Sequence, residues 1–144
     1  MPSTIRFREP VHTFQIDFNR HVSNIVYIQW MEIGRLRLLR EIGLSVERID
    51  AAGFLPVLVE TQITYRRPLF LGDTVDVELW ISGLEGVHAW MEFRFRNGQG
   101  DLVAEGRQKG VFMNTANNRP RRLSDAEREL FAGYLIARGS GTTT

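Results

Sequence analysis

The stretch "IDFNRHVSNIVYIQWMEIGR" (16–35) sets Asp17, Asn19 and His21 at alternate positions, with Asn24 close behind, where a largely apolar helix is about to begin. In an extended segment, a spacing of two puts these side chains on one side of the chain. An Asp or Asn ahead of a helix is ordinarily a cap or turn former, and a lone His is ordinarily structural. One helix needs only one N-cap, however. Ser23 or Asn24 can supply it, and the remaining polar groups are then surplus. Beside them the helix offers unpaired backbone amides and the positive end of its dipole. That combination suits acyl transfer. Amides near Ser23 and Asn24 polarise a carbonyl and hold the oxyanion formed on attack, and Asp17 activates water or attacks directly. Asn19 and His21 orient water or the carbonyl. An unperturbed aspartate, with a pKa of about 3.9, is ionised at neutral pH for either role.

The elements that must position these groups are legible from periodicity. From Asn24 to Ile42 apolar residues recur at helical spacing around much of the circumference, which predicts a mostly buried helix that stops at Gly43. Residues 5–16 read as a strand kept at an edge by Pro10. Further strands are expected at 56–67, where Val57, Val59, Thr61, Ile63 and Tyr65 share a face, and at 75–84, 88–97 and 102–113. "NGQG" (97–100) marks a hairpin turn, and Ser124 with Glu127 forms a capping box for a short final helix. One apolar helix followed by a run of antiparallel strands is α+β, with the sheet curling around the helix.

Composition narrows the function. The 144 residues make one ordinary domain, 1–144, with 139–144 expected to fray. Eighteen basic against 17 acidic residues give a net charge of +1, so no global field recruits nucleic acid. The absence of cysteine excludes disulfides, thiolate metal sites and cysteine nucleophiles. No apolar run resembles a signal peptide or membrane span, so a cytoplasmic domain is the expectation.

"DFNRHVSNIVYIQWMEIGR" resembles the D-x-N-x-H-V-N-N-x-x-Y-x-x-W signature of hotdog-fold thioesterases, in the acyl-ACP thioesterase form and more broadly the 4-hydroxybenzoyl-CoA thioesterase-like group. "ITYRRPLFLGDTVDVELWI" is similar to a second segment of those proteins, common among hotdog folds. The resemblance covers roughly residues 5 to 113. It implies an antiparallel sheet around one long central helix and a catalytic carboxylate at Asp17. Partner roles fall on Asn19 and His21, and a helix-start amide role on Asn24. It further implies a homodimer, often paired into tetramers, with the acyl site between subunits, an acyl-CoA or acyl carrier protein substrate, and no metal or organic cofactor. Two positions depart from the family pattern: Arg20 stands where many relatives carry Gly, and Ser23 replaces the first Asn of a pair.

Other residues carry two readings each. Glu60 either faces the cleft, across a dimer, or points outward from an alternating strand. Tyr27 and Trp30 are core and acyl-pocket lining rather than catalysts. Arg66 and Arg67, with Arg107 and Lys109, either bind phosphates of CoA or an acidic carrier protein or stay solvated. Glu32 and Arg35 are placed for an i,i+3 pair. "RPRR" (119–122) reads as solvated, and His12 and His88 lack metal-ligand spacing. Strand edges such as that of "HAWMEFRFRN" are expected to serve dimer pairing. The competing functions are a hydratase or dehydratase acting on the same thioesters, and a non-catalytic acyl-binding module.

Overall fold

The structure is a computed structural model that describes residues 2–138; the tail expected at 139–144 lies outside them. Five antiparallel strands form one sheet in the order β1-β3-β4-β5-β2. They are β1 (Ile5–Pro10), β2 (Phe54–Tyr65), β3 (Thr74–Glu85), β4 (His88–Arg96) and β5 (Leu102–Asn114). Between β1 and β2 come α1 (Asn24–Glu41) and α2 (Val46–Ala52), and α3 (Asp125–Phe131) follows the sheet. The expected α+β class is observed, with the short helix α2 added between α1 and β2.

Alternation on β3 to β5 divides the sheet into two faces. Val75, Val77, Leu79, Ile81, Phe93, Phe95 and Ala104 are buried on the inner face. Burying a side chain of Val, Leu, Ile or Phe size stabilises by about 1.5–3 kcal/mol. The outer face carries charge in register: Arg6 pairs with Glu78 at 2.9 Å, Arg8 with Asp76 at 2.7 Å, and Arg107 with Glu92 at 3.0 Å. Arg107 and Lys109 also lie over the Trp90 ring, at 4.0 and 4.9 Å from its centroid.

Helix α1 lies against the inner face through Val26, Tyr27, Trp30, Met31, Gly34 and Leu38. The approach is close at Gly34, where a Cβ would stand 3.0 Å from a Leu79 methyl and Leu79 would have to shift. The helix is less enclosed than its apolar sequence predicts: Ile25 is 64% exposed, and Ile28 and Leu36 also face outward. Beyond it Gly43 adopts φ +89°, the left-handed conformation of a helix stop.

Two strand expectations need correction. β4 is not an edge but a central strand, paired with β3 and β5; the edges are β1 and β2. On β2 the alternation breaks, because the register with β5 shifts between Leu58 and Glu60. The extra residue, Val59, resets which side chains point inward. Val57 and Val59 are therefore exposed while Thr61 and Ile63 turn toward the core. No helix among the described residues is long and apolar enough to cross a membrane.

Candidate active site

The polar run before α1 is a tight turn, not the extended segment its spacing suggested. After β1, Thr13–Gln15 form a short 3-10 turn in which the Gln15 side chain accepts from the His12 amide at 2.8 Å. A bridge between Ile16 and Val22 then closes a small loop. Inside it the Asp17 amide donates to the His21 carbonyl and the Arg20 amide donates to the Asp17 carbonyl, both at 2.9 Å. The Asn19 amide donates to Asp17 Oδ1, also at 2.9 Å. This Asx-type bond holds the carboxylate in place through one oxygen. Arg20 takes φ +66°, the left-handed region that glycine adopts without strain. Asp17, Asn19 and His21 are thus gathered by turn chemistry and a backbone pairing.

Ser23 is the N-cap residue of α1, but its hydroxyl makes no capping bond. Its amide donates to the Gln15 carbonyl at 2.9 Å, which fixes the approach to the helix. Of the two residues expected to supply the N-cap, Ser23 holds the position, through its backbone rather than its hydroxyl. The amides of Asn24 and Ile25, at the helix start, are left without an intrahelical acceptor.

Asp17, Asn19, His21, Asn24 and Tyr27 line one side of an open cleft of about 300 Å³, faced by Tyr65, Arg66, Arg67 and Pro68 from the end of β2. Tyr65 Oη–H donates to the Asn24 carbonyl at 3.1 Å, tying the strand end to the first residue of the helix. Its ring meets Tyr27 edge-on at 5.1 Å, and Tyr27 meets Phe95 in the same way at 5.3 Å. Burial, and then the proximity of Tyr65, pushes the Tyr27 hydroxyl up to about 12, so it stays protonated and is no base at neutral pH. The His21 ring packs edge-on against Phe70 at 5.3 Å.

Not every expected residue joins the cleft. Glu60 is exposed beside the β2 bulge, opposite Lys109, and does not line it. Arg66 and Arg67 do line it, but each is paired with a carboxylate, Arg66 with Glu105 and Arg67 with Asp101 at 3.3 Å. Arg107 and Lys109 belong to the outer face. The Glu32–Arg35 pair forms as expected. Tyr65 as a brace and Phe70 as the His21 support were missed, since both depend on contacts between segments far apart in sequence. Among the described residues, no group of three or more His, Cys, Asp or Glu side chains is placed to hold a metal.

The sequence matches the thioesterase-like superfamily over residues 4–131. It is 25% identical to "Putative acyl-CoA thioesterase YneP" of Bacillus subtilis (strain 168) over 112 residues, 78% of this chain and 81% of that protein. It is also 25% identical, over 126 residues, to the chloroplastic acyl-acyl carrier protein thioesterase ATL3 of Arabidopsis thaliana; that match covers 87% of this chain and 66% of the relative. Among solved structures, a thioesterase of Thermus thermophilus complexed with coenzyme A and zinc superposes with a TM-score of 0.75. It is 28% identical, and the match covers 90% of this chain and 92% of that one.

Proposed function

The chain belongs to the thioesterase-like superfamily, and from that membership we propose that it hydrolyses acyl-CoA or acyl carrier protein thioesters to a carboxylic acid and a thiol. The observation that carries this reading is the juxtaposition of Asp17, fixed by its own turn, with a helix start that no side chain caps. The thioester carbonyl accepts hydrogen bonds from the amides at Asn24 and Ile25, where the helix dipole favours developing negative charge. Asp17 either takes a proton from the attacking water or attacks the carbonyl itself. Collapse of the tetrahedral intermediate breaks the C–S bond, and the thiolate leaves and is protonated; on the direct route water then hydrolyses the acyl–Asp17 mixed anhydride, which frees the acid and restores the carboxylate. Asn19 and His21 orient the water or the carbonyl, Tyr27 bounds the acyl side of the cleft, Ser23 stands behind its lining at the helix start, and Arg66 and Arg67 at its rim meet the phosphate-bearing arm. A hydratase or dehydratase is the weaker reading, because it calls for an acid and a His placed differently from Asp17 and His21, which here sit on one tight turn.

The working unit in this reading is a homodimer in the cytoplasm, one hotdog domain per chain. β2 is an open edge with Val57 and Val59 exposed, and Ile25 and Ile28 present further apolar surface on α1. Joining two β2 edges covers both features, and Glu60, on the same edge, then lies at the subunit boundary. The relatives support the substrate class: YneP is named for acyl-CoA, ATL3 for acyl carrier protein, and the Thermus thioesterase was solved with coenzyme A. The decisive experiment is a thiol-release screen over short, long and aromatic acyl-CoAs, with acyl carrier protein thioesters in parallel. Turnover by the wild type that is lost in Asp17→Asn supports the reading. A wild type inactive on the whole panel, or Asp17→Asn turnover near that of the wild type, overturns it.

A further inference from the structure

The large apolar side chains left in water fall into two main groups. Ile25, Ile28, Val57 and Val59 lie on α1 and the β2 edge, the face that a β2-paired dimer covers. Phe14, Phe18, Phe70 and Leu71 lie elsewhere, on the loops 11–23 and 66–73 whose residues line the Asp17 cleft. Phe14 is 81% exposed and Phe18 94%.

Hydrogen-bonded turns hold these side chains out. The Gln15 amide donates to the His12 carbonyl at 3.0 Å around Phe14, and the Arg20 amide to the Asp17 carbonyl at 2.9 Å around Phe18. The Asp73 amide donates to the Phe70 carbonyl at 3.0 Å around Leu71 and Gly72, which takes φ +94°. Turns ordinarily carry Gly, Pro, Asn, Asp or Ser at such positions; here Phe and Leu take them. The two loops are fastened together. The Val11 amide donates to the Asp73 carbonyl at 3.0 Å and the Val22 amide to the Leu69 carbonyl at 2.9 Å, and the His21 ring meets Phe70. Phe18 shares with His21 the small loop closed by the Ile16–Val22 bridge. One fastened pair of loops therefore carries all the tips beside the cleft.

At about 200 Å² for a whole aromatic side chain, their exposed parts amount to roughly 500 Å² of apolar surface. That is enough to mark an interaction site, yet short of the about 800 Å² per partner of a stable protein interface. The tips present neither a strand edge nor a helix face for a protein to pair with. Their turns are already hydrogen-bonded, so they enter an acyl boundary without stranding those amides. Arg20 stands in the Phe18 turn, and the Arg66 and Arg67 side chains, 52% and 62% exposed, open the second loop. Cations at that level favour anionic headgroups. We propose that the turn tips at Phe14, Phe18 and Phe70–Leu71 dock the mouth of the Asp17 cleft on an anionic lipid surface. The phenyl and isobutyl groups insert among the acyl chains while the arginines stay at the phosphates.

Flotation with vesicles of mixed phosphatidylcholine and phosphatidylglycerol tests this. Wild-type protein should float with them, and less with vesicles of phosphatidylcholine alone. Phe14→Ser and Phe18→Ser should each lower the partition coefficient roughly tenfold, the worth of one buried aromatic side chain. Arg20→Gln should lower it about fivefold, on the mixed vesicles only. Leu130→Ser, at an exposed apolar residue of α3, should change nothing. Circular dichroism reports folding, and Leu71→Ser stands in for a Phe variant that fails to fold. A wild type that floats with neither vesicle, or a Phe14→Ser/Phe18→Ser double variant that floats as the wild type does, overturns the proposal. A double variant of smaller mass by light scattering also overturns it, because the tips are then a contact between copies. So does one that keeps vesicle binding and loses turnover of carrier-protein thioesters alone. Vesicle binding is independent of the acyl-thioester reading: a wild type that floats as expected yet hydrolyses no thioester supports the docking surface and refutes only that reading.

Discussion

Replacing Asp17 by Asn keeps an oxygen that can accept from the Asn19 amide, so the turn should persist while the charge is lost. Turnover should then fall by about two to four orders of magnitude, the range of a general base, at an unchanged melting temperature. If Asp17 attacks directly and water opens the mixed anhydride at the Asp17 carbonyl, single turnover in ¹⁸O-water leaves ¹⁶O from the enzyme in the first acid released and the label on Asp17; if it activates water, the label enters the product at once and Asp17 stays unlabelled. Asn19→Ala and His21→Ala should each cost roughly ten- to a hundredfold in kcat, less than Asp17→Asn and sub-additively with it. A variant that lowers the melting temperature and spares kcat marks its side chain as scaffolding. Arg20 tests the strain in the same loop. A left-handed residue costs about 1–2 kcal/mol, and glycine returns about 0.5–1 kcal/mol of that through unfolded-state entropy. Arg20→Gly should therefore gain roughly 0.5–1 kcal/mol, read in a denaturant titration.

At the scale of elements, the α3 cap supplies a pH prediction. Arg121 donates to both Glu127 oxygens at 2.7 Å, and Ser124 and Glu127 exchange the two bonds of a capping box. The Arg121 hydrogen bonds, with help from Ser124, hold the Glu127 carboxyl at about 2 instead of 4.5. A carboxyl whose folded value is depressed contributes fully above its unfolded value and loses that contribution as pH falls through the folded one. Melting temperature should decline between about pH 4.5 and 2, and Glu127→Gln should flatten that decline. This cap was legible in the sequence because both partners lie within one turn. α1 and the four later strands were legible for the same local reason, within one to two residues at most ends. The turn at Asp17, the free Ser23 hydroxyl and the bulge at Val59 were not. Alternation cannot register an inserted residue, and a side chain's choice between capping and leaving amides open depends on contacts that neighbours in space impose. The Tyr65 brace belongs to the same class. Tyr65→Phe should lower stability by about 0.5–1.5 kcal/mol, measured by thermal melting.

For the whole molecule, the open β2 edge makes a sharp prediction about assembly. A lysine on an edge strand opposes pairing, so Val59→Lys should convert a dimer seen by light scattering into a monomer and remove activity with it. Wild-type protein that is monomeric and active at micromolar concentration would exclude the shared site.

The strand order has a consequence for how the chain is made. β1 and β2 occupy opposite edges, and each finds its partner only later in the sequence, β1 on β3 and β2 on β5. During synthesis the Asp17 turn and α1 leave the ribosome well before any strand can receive them, whereas β3, β4 and β5 pair with sequence neighbours as soon as they emerge. The meander is thus the template, and the Asp17 loop is set in place last, when β5 captures β2 and carries Tyr65 to the head of the helix. A nascent chain stalled before residue 114 holds every residue of the Asp17 cleft and still lacks part of the strand that closes it.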